Sequence, residues 1–362
     1  MRVLIAPDKF AGTLTAPQAA EAIAHGWRGQ APDDELDLAP MSDGGPGFVD
    51  VLHAALGGEL LATAVPGPFE GDFVPATILK VADVAYIESA QACGIELTGT
   101  DRPEEATSYG VGVLLGWAAD LGVRRIVVGL GGSGTTDGGA GLLAALGTRS
   151  DAELDEGPRG LGSVGEVDLT PARELLSGIE LVIASDVDNP LTGMFGAAKT
   201  FGPQKGLAAD RIAVVDAALE RFAQVADRRT ALKPGAGAAG GLGYALLLLG
   251  GERVPGISLV AEAVDLSGRA RRADLVITGE GAFDFSSRSG KVPYGVAEIA
   301  NEALRPCVAI AGQVLVGSRE MRALGMDSAY GLVDVVGEQR AFADPAGALG
   351  EVAARVARTW SR

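Results

Sequence analysis

Gly129-Leu130-Gly131-Gly132-Ser133-Gly134-Thr135-Thr136-Asp137-Gly138-Gly139-Ala140-Gly141 follows Arg125-Ile126-Val127-Val128 and runs into Leu142-Leu143-Ala144-Ala145-Leu146. An apolar strand, a glycine loop and an apolar helix form the arrangement in which backbone N–H groups and a helix N-terminus face an anion. Seven glycines in thirteen residues remove the Cβ atoms that would block a ligand. Ser133, Thr135, Thr136 and Asp137 supply polar groups. Gly129-x-Gly131-x-x-Gly134 also satisfies the dinucleotide fingerprint, a weak match in a chain with 53 glycines. That fingerprint needs an acidic residue closing a second strand about 20 residues on. Asp151, Glu153 and Asp155 fall instead in a polar, loop-like stretch. The dinucleotide reading fails its own test, which leaves a phosphate or substrate loop of another kind, or a plain tight turn.

The same unit recurs along the chain. Arg2-Val3-Leu4-Ile5-Ala6 is a continuous apolar run, as a strand buried on both faces requires, and it delivers Asp8 and Lys9. Glu35–Ala39 delivers Asp43-Gly44-Gly45, Leu181–Ser185 delivers Asp186, Asp188 and Asn189, and Asp274–Thr278 delivers Gly279, Glu280 and Asp284. Helices are expected at 16–29, 48–56, 110–121, 209–228, 294–304 and 345–360. Residues 59–66 and 73–81 alternate like an antiparallel pair. Residues 149–167 read as an exposed polar insertion, 235–243 as a second glycine loop, and 307–311 and 331–336 as two final strands. Strands alternating with helices predict an α/β fold with mostly parallel sheets. The cleanest units lie at 1–75 and 255–362, which predicts one domain built from both terminal segments and a second, 76–254, inserted into it.

Composition narrows the function. Net charge is −17 with a pI near 4.6, a surface that repels nucleic acid and anionic membranes. Cys93 and Cys307 stand alone, so neither a disulfide framework nor a zinc site is indicated. The N-terminus has no apolar signal core and the run at 242–249 is too short to span a bilayer, so a cytoplasmic setting is expected. Only six of the 30 basic residues are lysines, which gives weight to Lys9, Lys205 and Lys291 beside glycines and carboxylates. Walker and protein-kinase signatures are missing, and His25 and His53 fall in surface helices. Five strand ends bearing acids or hydroxyls suit phosphoryl transfer, in which a protein chiefly positions Mg²⁺ and phosphates.

APDKFAGTLTA, PMSDGGPG, GGSGTTDGGAG, SDVDNPLTG, FGPQKG, GAAGGLGYAL and DLVITGEGAFD…SGKVPYGVA, in that order over residues 3 to about 313, resemble the bacterial glycerate kinases of the glycerate 2-kinase type. The resemblance implies ATP- and Mg²⁺-dependent phosphorylation of D-glycerate to 2-phosphoglycerate, with 3-phosphoglycerate as the alternative product. It implies two α/β domains: a discontinuous Rossmann-like, restriction-enzyme-like domain from the terminal segments, and an inserted flavodoxin-like domain, with the active site in the cleft between them. The expected catalytic residues are Asp8, Lys9, Asp43, Asp186, Asp188 and Lys291. Gly44, Gly45, Gly131, Gly132, Ser133, Thr135, Asp137, Asn189, Lys205, Gly279 and Glu280 are expected to bind substrate or nucleotide, and Asp186, Asp188, Glu280 and Asp284 to hold metal. Ala11, Pro46, Ala282 and Ser286 depart from the pattern common in that family. They motivate two alternatives, a kinase of another small hydroxy acid and a non-catalytic small-molecule sensor. The partners expected are glycerate and ATP, with neither nucleic acid nor membrane, in a monomer or homodimer.

Overall fold

A computed structural model describes residues 1–10, 12–284 and 291–361. The departures at Ala11 and Ser286, and the Ser289-Gly290 that precedes Lys291, lie outside the described residues. The chain is mixed α/β and divides into two compact units. One comprises Met1–Asp43, Asp50–Leu56 and Ile257–Arg362; the other comprises Gly44–Val49 and Gly57–Gly256.

The first unit carries a five-stranded, wholly parallel sheet in the order Ser328–Gly331, Cys307–Ala311, Leu275–Thr278, Arg2–Ile5, Glu35–Leu38. Val3 pairs with Leu275 and Leu36, so the apolar runs read from sequence occupy the middle of the sheet. Val3, Ile5, Leu275, Ile277, Val308 and Ile310 pack on one face against helices Ala16–Gln30 and Pro345–Trp360. Thr15 caps the first of these helices through a reciprocal pairing with Gln18, and Asp344 caps the second. Residues 331–336 do not form a strand. Pairing with Cys307–Ala311 runs from Ser328 to Gly331, and Leu332–Val336 is a short helix that buries Leu332. Its β-branched composition gave a strand signal that tertiary packing overrides.

The second unit carries a six-stranded mixed sheet: Glu252–Val254, Glu180–Ala184, Arg125–Gly129, Val84–Glu88, Phe73–Val81, Glu59–Pro66. The first four are mutually parallel, and the last two form the expected antiparallel pair from Glu59↔Lys80 to Pro66↔Phe73. Ile87, Ile126, Val128, Leu181 and Ile183 share one core with Val111, Leu114, Leu142 and Leu242 from the surrounding helices. The supposed insertion at 149–167 differs from expectation. Leu154, Leu161 and Val164 are buried in that core, and Arg149–Ser150 pairs with Val167–Asp168. Its polar residues hid three apolar anchors.

Helices Ala16–Gln30 and Pro345–Trp360 cross at Gly26 and Gly350, where a Cβ on Gly26 would overlap the Gly350 backbone. Gly29, one turn on, has open space around the same position. Gly29→Ala should therefore be neutral or stabilise by up to about 1 kcal/mol through helix propensity. Gly26→Ala should lose about 2 kcal/mol to overpacking, as measured by urea denaturation.

Candidate functional site

Parallel pairing sets the geometry of the first unit. Leu275–Thr278, Arg2–Ile5 and Glu35–Leu38 are sheet neighbours, so their carboxyl ends deliver Glu280, Asp8 and Asp43 side by side. Open α/β sheets place ligands at such ends. The ladder continues past the strands: Asp8 N donates to Gly279 O at 2.8 Å and Met41 N to Pro7 O at 2.9 Å. Lys9 Nζ lies between two carboxylates, 3.7 Å from Asp8 and 3.6 Å from Asp43. Lys291 Nζ lies 3.5 Å from Glu280 and 3.7 Å from Asp284. Asp8, Lys9, Asp43, Glu280, Asp284 and Lys291 thus form one alternating set of acids and lysines.

Asp8 is 7% exposed. Burial pushes its carboxyl up to about 7, opposed by Lys9 and reinforced by Asp43 and Glu280. A carboxyl poised there suits proton transfer near neutral pH. Glu280 is also buried.

In the second unit, Val84–Glu88, Arg125–Gly129 and Glu180–Ala184 are also neighbours, and they bring Glu88, the glycine loop and Asp186 to one edge. Gly44 and Gly45 lie against this edge. A Cβ on Gly131 would stand 2.6 Å from Gly45 Cα, so glycine here permits loop-to-loop contact. Glu88, which sequence reading passed over, is buried and accepts from Gly47 N at 3.1 Å and Val49 N at 3.3 Å. Its placement at a strand end was the available signal. Asp188 is 75% exposed and held at 2.6 Å by Arg253, which also donates to Ser185 O at 2.9 Å. Asn189 donates its amide to Phe195 O and Thr200 Oγ1. Asp188 and Asn189 therefore have local partners. Among the described residues, no three acidic, histidine or cysteine side chains are grouped to hold a metal ion.

The glycine loop is fixed from beneath. Asp137, fully buried, accepts from Ser108 N at 2.8 Å, Ser108 Oγ at 2.7 Å, Gly139 N at 3.0 Å and Gly141 N at 3.3 Å. Burial raises its carboxyl above the ordinary range, and these donors oppose that. Asp137 shapes the loop from within, and Ser108 is a partner that no sequence pattern advertised. The second glycine loop packs on the first: Gly138 N donates to Gly240 O at 3.0 Å, and a Cβ on Gly240 would overlap Thr135 O. Lys205, 3% exposed, donates to Ser133 Oγ at 3.0 Å and Thr135 O at 2.6 Å.

Two outcomes test these assignments. Asp137→Ala leaves four donors without their acceptor and should cost about 3 kcal/mol or more in urea denaturation. Asp8 has a folded pKa raised from 3.8 to about 7. Its stabilising contribution is complete below the unfolded value and is lost as pH rises through about 7. Asp8→Asn should flatten the fall in stability between pH 5 and 8 and melt above the wild type at pH 8.

Residues 3–361 match the model of the glycerate kinase family. The chain is 40% identical to a glycerate kinase of Bacillus subtilis over 346 residues, covering 92% of this chain and 90% of that protein. It is 37% identical to the glycerate 2-kinase of Escherichia coli over 350 residues, covering 93% and 92%. A crystal structure from Salmonella typhimurium designated glycerate kinase 2 superposes with a TM-score of 0.79 at 36% identity, covering 99% of this chain and 98% of that one. No helix among the described residues is long and apolar enough to cross a membrane. With its family match spanning nearly every residue, this α/β chain belongs to the glycerate kinase family and is a phosphotransferase.

Proposed function

We propose that the protein transfers the γ-phosphoryl group of ATP to the 2-hydroxyl of D-glycerate, giving 2-phosphoglycerate and ADP. The observation that carries the chemistry is Asp8, a buried carboxyl held near neutral pKa and flanked by Lys9 at 3.7 Å. Asp8 accepts the proton of the glycerate hydroxyl as its oxygen bonds to phosphorus and the bond to the ADP oxygen breaks. Lys9 and Lys291 already stand among carboxylates as compact positive charges, and they turn to the phosphate oxygens when these arrive. Asp43 sets the position of Lys9 from its other side.

The oxygen-rich donor set suits Mg²⁺, which keeps waters and nucleotide phosphates and takes only one or two carboxylates from a protein. Glu280 and Asp284 are the proposed ligands in the first unit. In the second we propose Asp186 before Asp188, whose carboxylate Arg253 engages. When bound, the ion neutralises charge on the transferring group. Gly44, Gly45, Gly131, Gly132 and Gly279 provide backbone approach for the ligands, and Asn189 and Asp137 support the loops. We further propose that the protein works in the cytoplasm and that the terminal segments and the middle of the chain fold as separate domains.

A coupled ADP-release assay should show turnover with D-glycerate that depends on ATP and Mg²⁺, with ³¹P NMR identifying 2-phosphoglycerate. Turnover only with another small hydroxy acid would overturn the substrate assignment. Asp8→Asn should lower kcat by about 10²–10⁴. Wild-type activity should rise with pH through about 7, where Asp8 loses its proton. Near-normal activity in the variant would remove Asp8 from the proton path.

A further inference from the structure

Lys205 is buried to 3% exposure, yet it makes no ion pair among the described residues. It projects from the 3₁₀ turn Pro203–Lys205, which is closed by Gly206 with φ +88° packed against Thr100. Among the described residues its ammonium donates to two neutral acceptors, Ser133 Oγ at 3.0 Å and Thr135 O at 2.6 Å. An ammonium removed from water and matched only by dipoles is costly. Among the described residues its third N–H has no acceptor.

The direction of these bonds carries information. Ser133 Oγ accepts from Lys205, so its own O–H is directed elsewhere and is free to donate to a ligand. Ser133 itself is 7% exposed. A ligand group that offers acceptor oxygens can take a bond from each member of this pair. The two groups that act electrostatically on the ammonium, Asp137 and Cys93, are engaged elsewhere. Asp137 is saturated by four donors, and burial pushes the Cys93 thiol, which accepts from Thr135 Oγ1, up to about 12.

We propose that Ser133 and Lys205 form a preorganised oxyanion seat that determines specificity for an anionic acceptor. It takes either the carboxylate of the hydroxy acid or a phosphate of the nucleotide. This deepens the kinase reading above and rests on it for the identity of those two ligands. The seat has a built-in pH dependence. Burial lowers Lys205 to about 8, opposed by the Cys93 and Asp137 groups. The ammonium is present below that value and lost above it. Oxyanion affinity therefore falls as pH rises past about 8, and binding near that pH draws in a proton.

Isothermal titration calorimetry should be run with D-glycerate, sulfate and a non-hydrolysable ATP analogue separately. The proteins are the wild type, Lys205→Met and Ser133→Ala, with folding checked by circular dichroism. The expected result at pH 7 is a loss of at least tenfold in affinity for one of the two natural ligands in Lys205→Met, with a smaller loss in Ser133→Ala. Whichever ligand loses affinity identifies the oxygen group that sits there. Wild-type affinity for that ligand should fall between pH 7 and 9, with proton uptake read from buffers of different ionisation enthalpy, while Lys205→Met stays flat. Folded Lys205→Met binding all three probes as the wild type does would overturn the seat and leave Lys205 a structural residue. If that variant does not fold, wild-type affinity that is constant from pH 7 to 9 overturns it equally. Lysine-dependent sulfate binding in a protein that fails to turn over D-glycerate would uphold the seat while the glycerate reading falls.

Discussion

Parallel pairing puts the carboxyl ends of neighbouring strands on one edge of a sheet, and both units depend on that constraint. In the first unit it gathers Asp8, Asp43 and Glu280, three acids that would repel one another if left alone. Lys9 and Lys291 interleave with them, so the edge stays folded without ligand while keeping charges that can be redirected. The raised Asp8 carboxyl shows that the balance is incomplete: burial and two like charges outweigh one lysine. A chain carrying −17 overall places two of its six lysines among these acids.

The second unit handles the same edge with backbone instead of charge. Asp137 gathers four donors beneath the glycine loop, Glu88 gathers two from the loop at Gly47, and the second glycine loop closes on the first. Glycines serve this contact between loops at least as much as any approach of ligand. A rigid loop holds Ser133 in one orientation, which a mobile one would not.

Much of this was legible before any coordinates. Apolar runs such as Val3–Ala6 and Leu181–Ala184 could only be strands buried on both faces, and the glycines and acids after them marked where ligands belong. The order of strands was not legible, because pairing Val3 with Leu275 is a contact across most of the chain with no local signature. For the same reason the lysine partners of Asp43 and Glu280 were out of reach. Asp137 was read as a ligand contact because sequence shows a carboxylate in a loop but not Ser108 facing it. Leu332–Val336 was read as a strand because β-branched residues carry that signal wherever packing has not yet decided. Residues 149–167 were read as exposed because three buried apolar side chains do not outweigh nine polar ones in composition.

The crossing of Ala16–Gln30 with Pro345–Trp360 at two glycines bears on the order of assembly. The first unit needs strands and helices from both ends of the chain, so its sheet cannot close until the last of them has been synthesised. The second unit draws all but a few of its residues from one continuous stretch, Gly57–Gly256, and can fold while synthesis continues. Strand Arg2–Ile5, apolar throughout its core positions, must meanwhile wait with one edge unpaired for Leu275–Thr278. Met1–Asp43 is therefore the segment of this unit that a chaperone would shield while the rest is made.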